Sequence, residues 1–232
     1  MEEIRVGSWA ELQDALFAGA WQESLGRFRS DFAFRGRNDA REELVTSLQR
    51  LGGDVVALER HLLRNFRRYA QRAAVPFDST WNWLALGQHH GLPTRLLDWT
   101  HSPLVALHFV TSDERQYERD GVVWMVDYVR AHEEAPAPLR DELERAAMNV
   151  FTAESLGNVA AGLRELEELG GEFALFLEPP SLDERIVNQY ALFSLMSRPD
   201  ARLDAWLEAR PRLVRRVVVP AGLKWEVRDK LD

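Results

Sequence analysis

The sequence predicts a single α+β domain, because helical and strand patterns of hydrophobicity both occur along its 232 residues. Apolar residues three or four positions apart, as in the segment after Asp54, indicate helices, and short apolar runs such as GVVWMVDY at 121–128 indicate strands. A chain of this length can bury roughly 70% of its unfolded surface without a disulfide or a metal. No repeat, low-complexity segment or linker marks a boundary, so we expect one domain over residues 1–232.

The first two predicted elements are a helix and a strand. Ser8, with a glutamate three residues later, is a capping-box pattern that predicts a helix over about 9–20. Aromatic residues at every second position then predict a strand over 28–34. The strand ends at Arg35-Gly36, where the arginine offers five donors in a rigid fork suited to phosphate or carboxylate. This position is either an anion clamp or an ordinary arginine at a sheet edge.

Two helices are predicted next, one over 39–51 and a longer one capped by Asp54. The predicted apolar face of the longer helix comprises Leu58, Leu62, Phe66, Tyr69 and Ala73. Its opposite face carries an arginine stripe, Arg60, Arg64, Arg67, Arg68 and Arg72. The stripe could hold nucleic acid, but a solvated helix face is favoured because no aromatic residue is interleaved for base stacking.

The segment 81–111 combines polar and apolar residues more densely than any other part of the chain. A helix capped by Asp78 or Ser79 is predicted to end at Gly91, and a second helix follows, with Ser102 or Thr100 as cap and Pro103 in its first turn. The polar residues between and beside them are Gln88, His89, His90, Thr94, Arg95, Asp98, Thr100 and His101. Two helices that bracket a polar bend are typical of a pocket wall.

The remaining chain alternates predicted strands and helices. The predicted strands are 121–128, which is apolar enough to be central, 173–177 and 212–219, and the predicted helices are 139–150, 155–169, 200–209 and 221–231. The segment 181–196 mixes both periodicities, and a helical turn leading into a strand is favoured there.

Composition restricts the compartment and the partners. The chain has no cysteine, which excludes disulfides and thiolate metal sites and favours the cytoplasm. The N-terminus lacks a signal-peptide pattern, and no window approaches the ~20 apolar residues of a spanning helix, so no membrane is expected. The net charge of -8 argues against a general polyanion binder, although a local basic surface stays open.

Common catalytic motifs are absent. His89, His90, His101, His108 and Asp98 lie close in sequence, but they lack the spacing of known zinc sites, so no metal is predicted. No Gly-x-Ser-x-Gly elbow, Gly-x-Gly-x-x-Gly loop or P-loop occurs. What remains is a split site of arginine, hydroxyl, imidazole and carboxylate or amide groups from distant segments.

These motifs resemble the FRG domain family. The resemblance is carried by Phe34-Arg35-Gly36 and by the block Gln88-His89, Gly91-Leu92, Thr94 to Thr100, Pro103, Ala106 and Phe109. It covers about residues 30–195, with a last block at Arg185, Gln189 and Phe193, and leaves a C-terminal strand and helix at 200–232. Ala191 departs from the family, which often has glycine there, and this indicates a locally altered turn.

The order of the motifs is similar, more distantly, to that of ADP-ribosyltransferases. This resemblance implies an α+β fold with split, mostly antiparallel sheets surrounded by helices. It implies NAD as substrate and ADP-ribosyl transfer to a macromolecule, or NAD hydrolysis, in a toxin or phage-defence setting. The catalytic residues would be Arg35, which holds phosphate or ribose, and Gln189 or Glu184, which contacts the reactive ribose hydroxyl. Glu184 would also align the acceptor nucleophile.

The same resemblance implies an NAD-binding set. Besides Arg35 it contains Gly36, which permits close backbone approach, and Thr94, which orients the ribose or the strand that seats nicotinamide. His89 or His90 would contact the adenosine-side ribose, and Asp98 would either face the ligand or accept N–H bonds.

Structural alternatives exist for several of these residues. Arg95 and Asp98 could form a buried ion pair that braces the bend, and Gln189 could join two strands. A non-catalytic module that binds a nucleotide or nucleic acid through Arg35 and the arginine stripe is the alternative function. The acceptor and the oligomeric state are not indicated by the sequence.

Overall fold

The computed structural model describes residues 1–70, 75, 77–180 and 189–232. The chain forms two compact units, each assembled from separate segments. The first unit comprises Met1–Glu43, Trp99–Tyr128 and Leu207–Asp232, and the second comprises Leu44–Asp98 and Val129–Trp206. Among the described residues, no helix is long and apolar enough to cross a membrane.

The strands and helices are named in chain order. The strands are β1 (Glu2–Arg5), β2 (Trp21–Gln22), β3 (Arg27–Phe28), β4 (Phe32–Arg37), β5 (Leu97–Thr100), β6 (Gly121–Asp127), β7 (Phe151–Thr152), β8 (Ala174–Glu178), β9 (Ala191–Met196) and β10 (Val214–Val219). The α-helices are α1 (Trp9–Phe17), α2 (Val55–Tyr69), α3 (Thr80–His89), α4 (Pro103–Val110), α5 (Tyr128–Glu133), α6 (Ala137–Arg145), α7 (Ala153–Val159), α8 (Leu163–Glu168), α9 (Leu203–Glu208) and α10 (Lys224–Leu231).

The first unit is organised on a sheet with the strand order β1-β10-β6-β4-β5, to which β5 contributes its last two residues. β1 and β10 are parallel, and the other pairs are antiparallel. One face of the sheet packs against α1, α4 and α10 through a core that includes Phe34, Ala106, Val123, Met125 and Val217. β6 is buried along its whole length between β10 and β4, as the apolar run at 121–128 predicts.

In the second unit, helices surround three strands. β8 pairs antiparallel with β9 and parallel with the short β7. The core contains Trp81, Trp83, Leu84, Leu139, Phe151, Leu156, Leu166, Phe173, Leu175 and Leu195. Both units combine helices with mixed, mostly antiparallel strand pairing, so the predicted α+β class is confirmed.

Helix starts are the best-predicted features. Asp54, Ser79 and Ser102 each accept a backbone N–H of the helix that follows, and Pro103 occupies the first turn of α4. Ser8 accepts the N–H of Glu11 in the same way. These contacts are local in sequence, which is why the pattern reveals them.

The helix predicted over 39–51 is wrong. This segment is a loop that ends in a short 3-10 helix, Gln49–Leu51. The Asp39 carboxylate accepts the backbone N–H and the guanidinium of Arg41 and also a bond from Arg119, which competes with helical bonding. These hydrogen bonds, those from Arg41 first, hold the pKa of Asp39 well below its ordinary value.

The predicted apolar face of α2 is also shifted. The buried residues of α2 are Val55, Glu59 and Leu63, whereas Tyr69 is 80% exposed. The pattern missed this face because its central residue is a glutamate, which is buried by pairing with an arginine from another segment. Ala73 and Arg72 lie outside the described residues.

Other elements also differ from the prediction. The helix predicted over 155–169 is divided into α7 and α8, because the Ala160 carbonyl accepts a bond from the Trp81 indole and Gly162 caps α8. The helix predicted over 139–150 is α6, which ends at Arg145. β1 and α5 were not predicted. For 181–196, the first eight residues lie outside the described residues, and β9 follows as favoured.

His132 is a buried histidine of the second unit that accepts a backbone bond. Its ring lies between Phe151 and Phe176, its Nδ1 is 3.0 Å from the Asn149 carbonyl oxygen, and its Nε2 accepts the Phe176 N–H at 2.9 Å. Burial lowers the pKa of His132 from 6.5 to about 4. The neutral imidazole is therefore part of the folded core.

We expect acid to unfold the protein partly through His132. Because the folded-state pKa is depressed, the unfolded chain binds the proton first, so this stability is complete above pH 6.5 and is lost towards pH 4. The loss amounts to about 3 kcal/mol. Urea unfolding of the wild type and His132→Gln between pH 7.5 and 4 measures it. Equal pH slopes in the two proteins would contradict this assignment.

Candidate functional site

Arg35 and Gly36 lie in the second half of β4, in the first unit, and the strand ends one residue later at Arg37, close to the predicted end. Gly36 packs directly on α4. A Cβ at this position would overlap the Ala106 carbonyl oxygen and lie 3.1 Å from the Val110 nitrogen. The strand can therefore approach the helix this closely only because residue 36 has no side chain.

Arg35 points to the sheet face opposite Gly36, because side chains alternate along a strand. The register places Arg35 beside Trp124 of β6, and Arg216 of β10 lies on the other side of Trp124. The Arg216 guanidinium carbon is 4.7 Å from the Trp124 ring centroid. Arg216 is held by Glu3 at 2.7 Å and by the Ala40 carbonyl at 2.6 Å. Trp124 is nearly buried, whereas Arg35 is partly exposed. The Arg35 guanidinium therefore projects from a rigid strand.

In the second unit, the polar bend is organised by Gln88. Its side-chain oxygen accepts the Thr94 hydroxyl at 2.6 Å, and its Nε2 donates to both Asp98 oxygens at 3.1 Å. The Thr94 hydroxyl also accepts the Leu96 N–H at 3.1 Å, and the Thr94 side chain has no exposed surface. Thr94 therefore orients the bend from inside, while Asp98 is exposed to solvent.

His89 and His90 end α3 at the surface of the second unit. His89 is half-buried and His90 is exposed. Their ring centroids are 5.2 Å apart, and the His90 ring lies 6.3 Å from Phe66. Both imidazoles remain near solvent, where they can hydrogen-bond a ligand.

Arg95 braces this region, but not with Asp98 as expected. Its guanidinium is buried, with 2.9 and 2.5 Å bonds to Glu59 and a 2.8 Å bond to Glu167. It also donates to the Ser197 carbonyl at 2.9 Å. The prediction of an Arg95–Asp98 ion pair is wrong, because the Arg95 guanidinium pairs with Glu59 and Glu167, which are 36 and 72 positions away.

Gln189 lies in the second unit, half-buried, just before β9. Tyr190 follows with φ = 47°, a left-handed conformation that is uncommon for a residue with a side chain. Tyr190 directly precedes Ala191, where the sequence predicts a locally altered turn. Glu184 and Arg185 lie outside the described residues.

The sequence alone indicates no individual role for Gln88, Trp124 or Arg216. Gln88 could have been found from its position in the last turn of a predicted helix, beside the two histidines. Trp124 and Arg216 are placed by strand register, for which the sequence has no local signal. Within the described part of the chain, no group of three or more His, Cys, Asp or Glu residues could hold a metal ion.

We expect Gly36→Ala to destabilise the protein by at least about 2 kcal/mol, because the new methyl group overlaps the backbone of α4. Gly222→Ala is the matched control, since no atom lies within 4 Å of a Cβ there. Urea unfolding measures both variants. A Gly36→Ala protein as stable as the control would disprove the close approach.

We expect Arg95→Met to cost about 3–5 kcal/mol, because it leaves Glu59 buried without its partner. The double variant Arg95→Met/Glu59→Leu should regain part of this loss, since no buried charge remains there. The exposed ion pair of Arg198 with Asp200 supplies the control Arg198→Ala, with a loss below about 1 kcal/mol. A double variant less stable than Arg95→Met would argue against this explanation.

Comparison with known proteins supports the motif assignment. Residues 30–119 match the model of the FRG domain family. The match contains Arg35, Gly36, Thr94 and Asp98 and ends before Gln189. No curated protein and no solved structure matches the chain significantly. The chain therefore contains a segment, residues 30–119, that matches the FRG domain family.

Proposed function

We propose that this protein binds NAD and transfers its ADP-ribosyl group to a macromolecule or, when water is the acceptor, hydrolyses NAD. The reaction breaks the bond between the nicotinamide nitrogen and ribose C1′. A bond forms between that carbon and the acceptor nucleophile, which loses a proton, and nicotinamide leaves as a neutral molecule. The proposal includes an ADP-ribosyltransferase-like arrangement of the sheets and a role in toxin action or phage defence.

The main support for the proposal is that Arg35 lies on β4 and is partly exposed. A planar guanidinium fork binds a pyrophosphate through paired hydrogen bonds, provided that the fork is held in place. β4 supplies such a support, because Gly36 is fixed against α4 and the neighbouring Trp124 is nearly buried. The helix that receives Gly36 begins with Ser102-Pro103 and carries Ala106, in agreement with the motif order that resembles ADP-ribosyltransferases.

The other proposed contacts have different chemistry. The exposed His90, with His89, would hydrogen-bond the adenosine-side ribose, and the exposed carboxylate of Asp98 would bind a sugar hydroxyl. The buried Thr94 would act indirectly, because its hydroxyl fixes Gln88, which in turn holds Asp98. Gln189 or Glu184 would contact the reactive ribose, where hydrogen bonds stabilise the positive charge that develops as nicotinamide departs.

Incubation of the purified protein with NAD, followed by chromatography of free nicotinamide, tests the proposal. We expect nicotinamide release by the wild type, at least about 100-fold slower release by Arg35→Ala, and an intermediate rate for Arg35→Lys, which keeps the charge without the fork. Arg215→Ala is the matched control, because Arg215 lies in the same sheet with its side chain over Phe32 on the opposite face.

Calorimetric titration with NAD and thermal unfolding accompany the assay. Wild-type stability in Arg35→Ala would show that a lost rate reflects chemistry and not unfolding. Absence of nicotinamide release with any acceptor offered, together with absence of NAD binding, would contradict the proposal. NAD binding without release would favour the non-catalytic nucleotide-binding alternative.

A further inference from the structure

A groove in the second unit is lined by none of the residues discussed for NAD. Its volume is about 350 Å³. Residues of α2, the first residue of α3 and the start of α8 line it, namely Arg60, Leu63, Arg64, Arg67, Thr80, Gly162, Leu163 and Arg164. Half of these residues are arginines, and the two leucines are buried. We call it the arginine groove.

The arginines of α2 form a row along the groove. Arg60, Arg64 and Arg67 are spaced by four and three residues, so they lie on one face of the helix. With a rise of 1.5 Å per residue, the row extends over about 10 Å. Arg164 approaches from α8. An extended row of charges matches a linear polyanion better than a single phosphate, which would need donors that converge on one point.

Two of these arginines form ion pairs that are exposed on both sides, whereas the partner of Arg60, Glu167, is 18% exposed and also binds Arg95. Arg60 pairs with Glu167 at 2.5 Å, Arg67 with Asp78 at 2.9 Å and Arg164 with Glu168 at 2.8 Å. The three guanidinium side chains are 48%, 39% and 80% exposed, in contrast to 1% for Arg95. The pairs of Arg67 and Arg164, which are exposed on both sides, contribute about 0–1 kcal/mol each, so an anionic ligand can displace them at little cost.

Arg64 differs from the other three arginines. It is exposed, and it makes no hydrogen bond or ion pair with any residue in the parts of the chain that the structure describes. It lies between Arg60 and Arg67 in the row. Arg64 therefore adds an unneutralised positive charge at the middle of the groove.

We infer that the arginine groove binds single-stranded nucleic acid through its phosphates. Phosphodiesters place one negative charge on every nucleotide, which suits a row of guanidinium groups, and the planar forks bind phosphate oxygens in pairs. Leu63 and Leu163 are buried at the floor of the groove, so the contact is made by the guanidinium groups and the phosphates. An acidic peptide fits less well, because it would only replace the carboxylates that already pair with three of the arginines. This inference does not depend on NAD chemistry.

The charge of the whole chain limits the strength of this binding. The formal net charge is -8, so the surface outside the groove repels nucleic acid. We therefore expect weak binding without sequence preference, with a Kd in the range of about 10⁻⁴ to 10⁻⁶ M at physiological salt. Release of counterions from four phosphates gives a slope of log K against log salt of about −3 at most.

Fluorescence anisotropy with labelled oligouridylate and oligothymidylate of about 12 nucleotides tests the inference on the full chain without NAD. We expect saturable binding that weakens linearly in log salt. Arg64→Ala should weaken binding severalfold and reduce the salt slope by about 0.7, and Arg64→Glu should abolish binding. Because Arg64 is exposed and makes no hydrogen bond or ion pair with a described residue, both variants should fold, which thermal unfolding checks.

Two exposed arginines outside the groove provide matched controls. Arg198→Ala removes an exposed ion pair of the second unit, and Arg5→Ala removes one of the first unit. Both should bind like the wild type. Absence of binding at 50 mM salt, or Arg64→Glu binding as well as Arg198→Ala, would overturn the inference. Displacement of the oligonucleotides by polyglutamate at equal charge concentration would also overturn it and assign the groove to an acidic peptide.

Discussion

The close approach of β4 to α4 at Gly36 is the constraint on which the account of this protein rests. Any side chain at this position would overlap the Ala106 carbonyl, so no methyl group fits between the strand and the helix. This contact places Phe34 in the core and turns Arg35 to the other face of the sheet. In the Phe-Arg-Gly motif, Phe34 therefore packs in the core, Arg35 projects from the opposite face of the sheet and Gly36 packs against α4.

The residues of the motif in the second unit divide into structural and accessible ones. Arg95 and Thr94 are buried. The Arg95 guanidinium donates to Glu59 and Glu167, and the Thr94 hydroxyl donates to Gln88. Asp98 and His90 are exposed and remain accessible to a ligand. A motif residue can therefore act by holding its neighbours, and position in the motif does not by itself distinguish the two cases.

The sequence predicts the features that depend on contacts between residues close together in the chain. The caps Asp54, Ser79 and Ser102 and the buried strand at 121–128 follow from contacts within a few residues or from hydrophobicity alone. The loop at 39–51 and the inward position of Glu59 could not be predicted in the same way. They depend on Arg119 and Arg95, which are distant in the chain and approach only after folding.

The two proposed ligands, NAD and single-stranded nucleic acid, address different arginines. Arg35 is a single fork on a rigid strand, which suits one pyrophosphate, whereas α2 carries a row of exposed guanidinium groups, which suits a chain of phosphates. The central claim is that Arg35 grips NAD. A crystal structure of the protein with NAD tests it most directly. If Arg35 binds NAD, the pyrophosphate should lie within hydrogen-bonding distance of the Arg35 guanidinium. NAD bound without any contact to Arg35 would contradict the proposal.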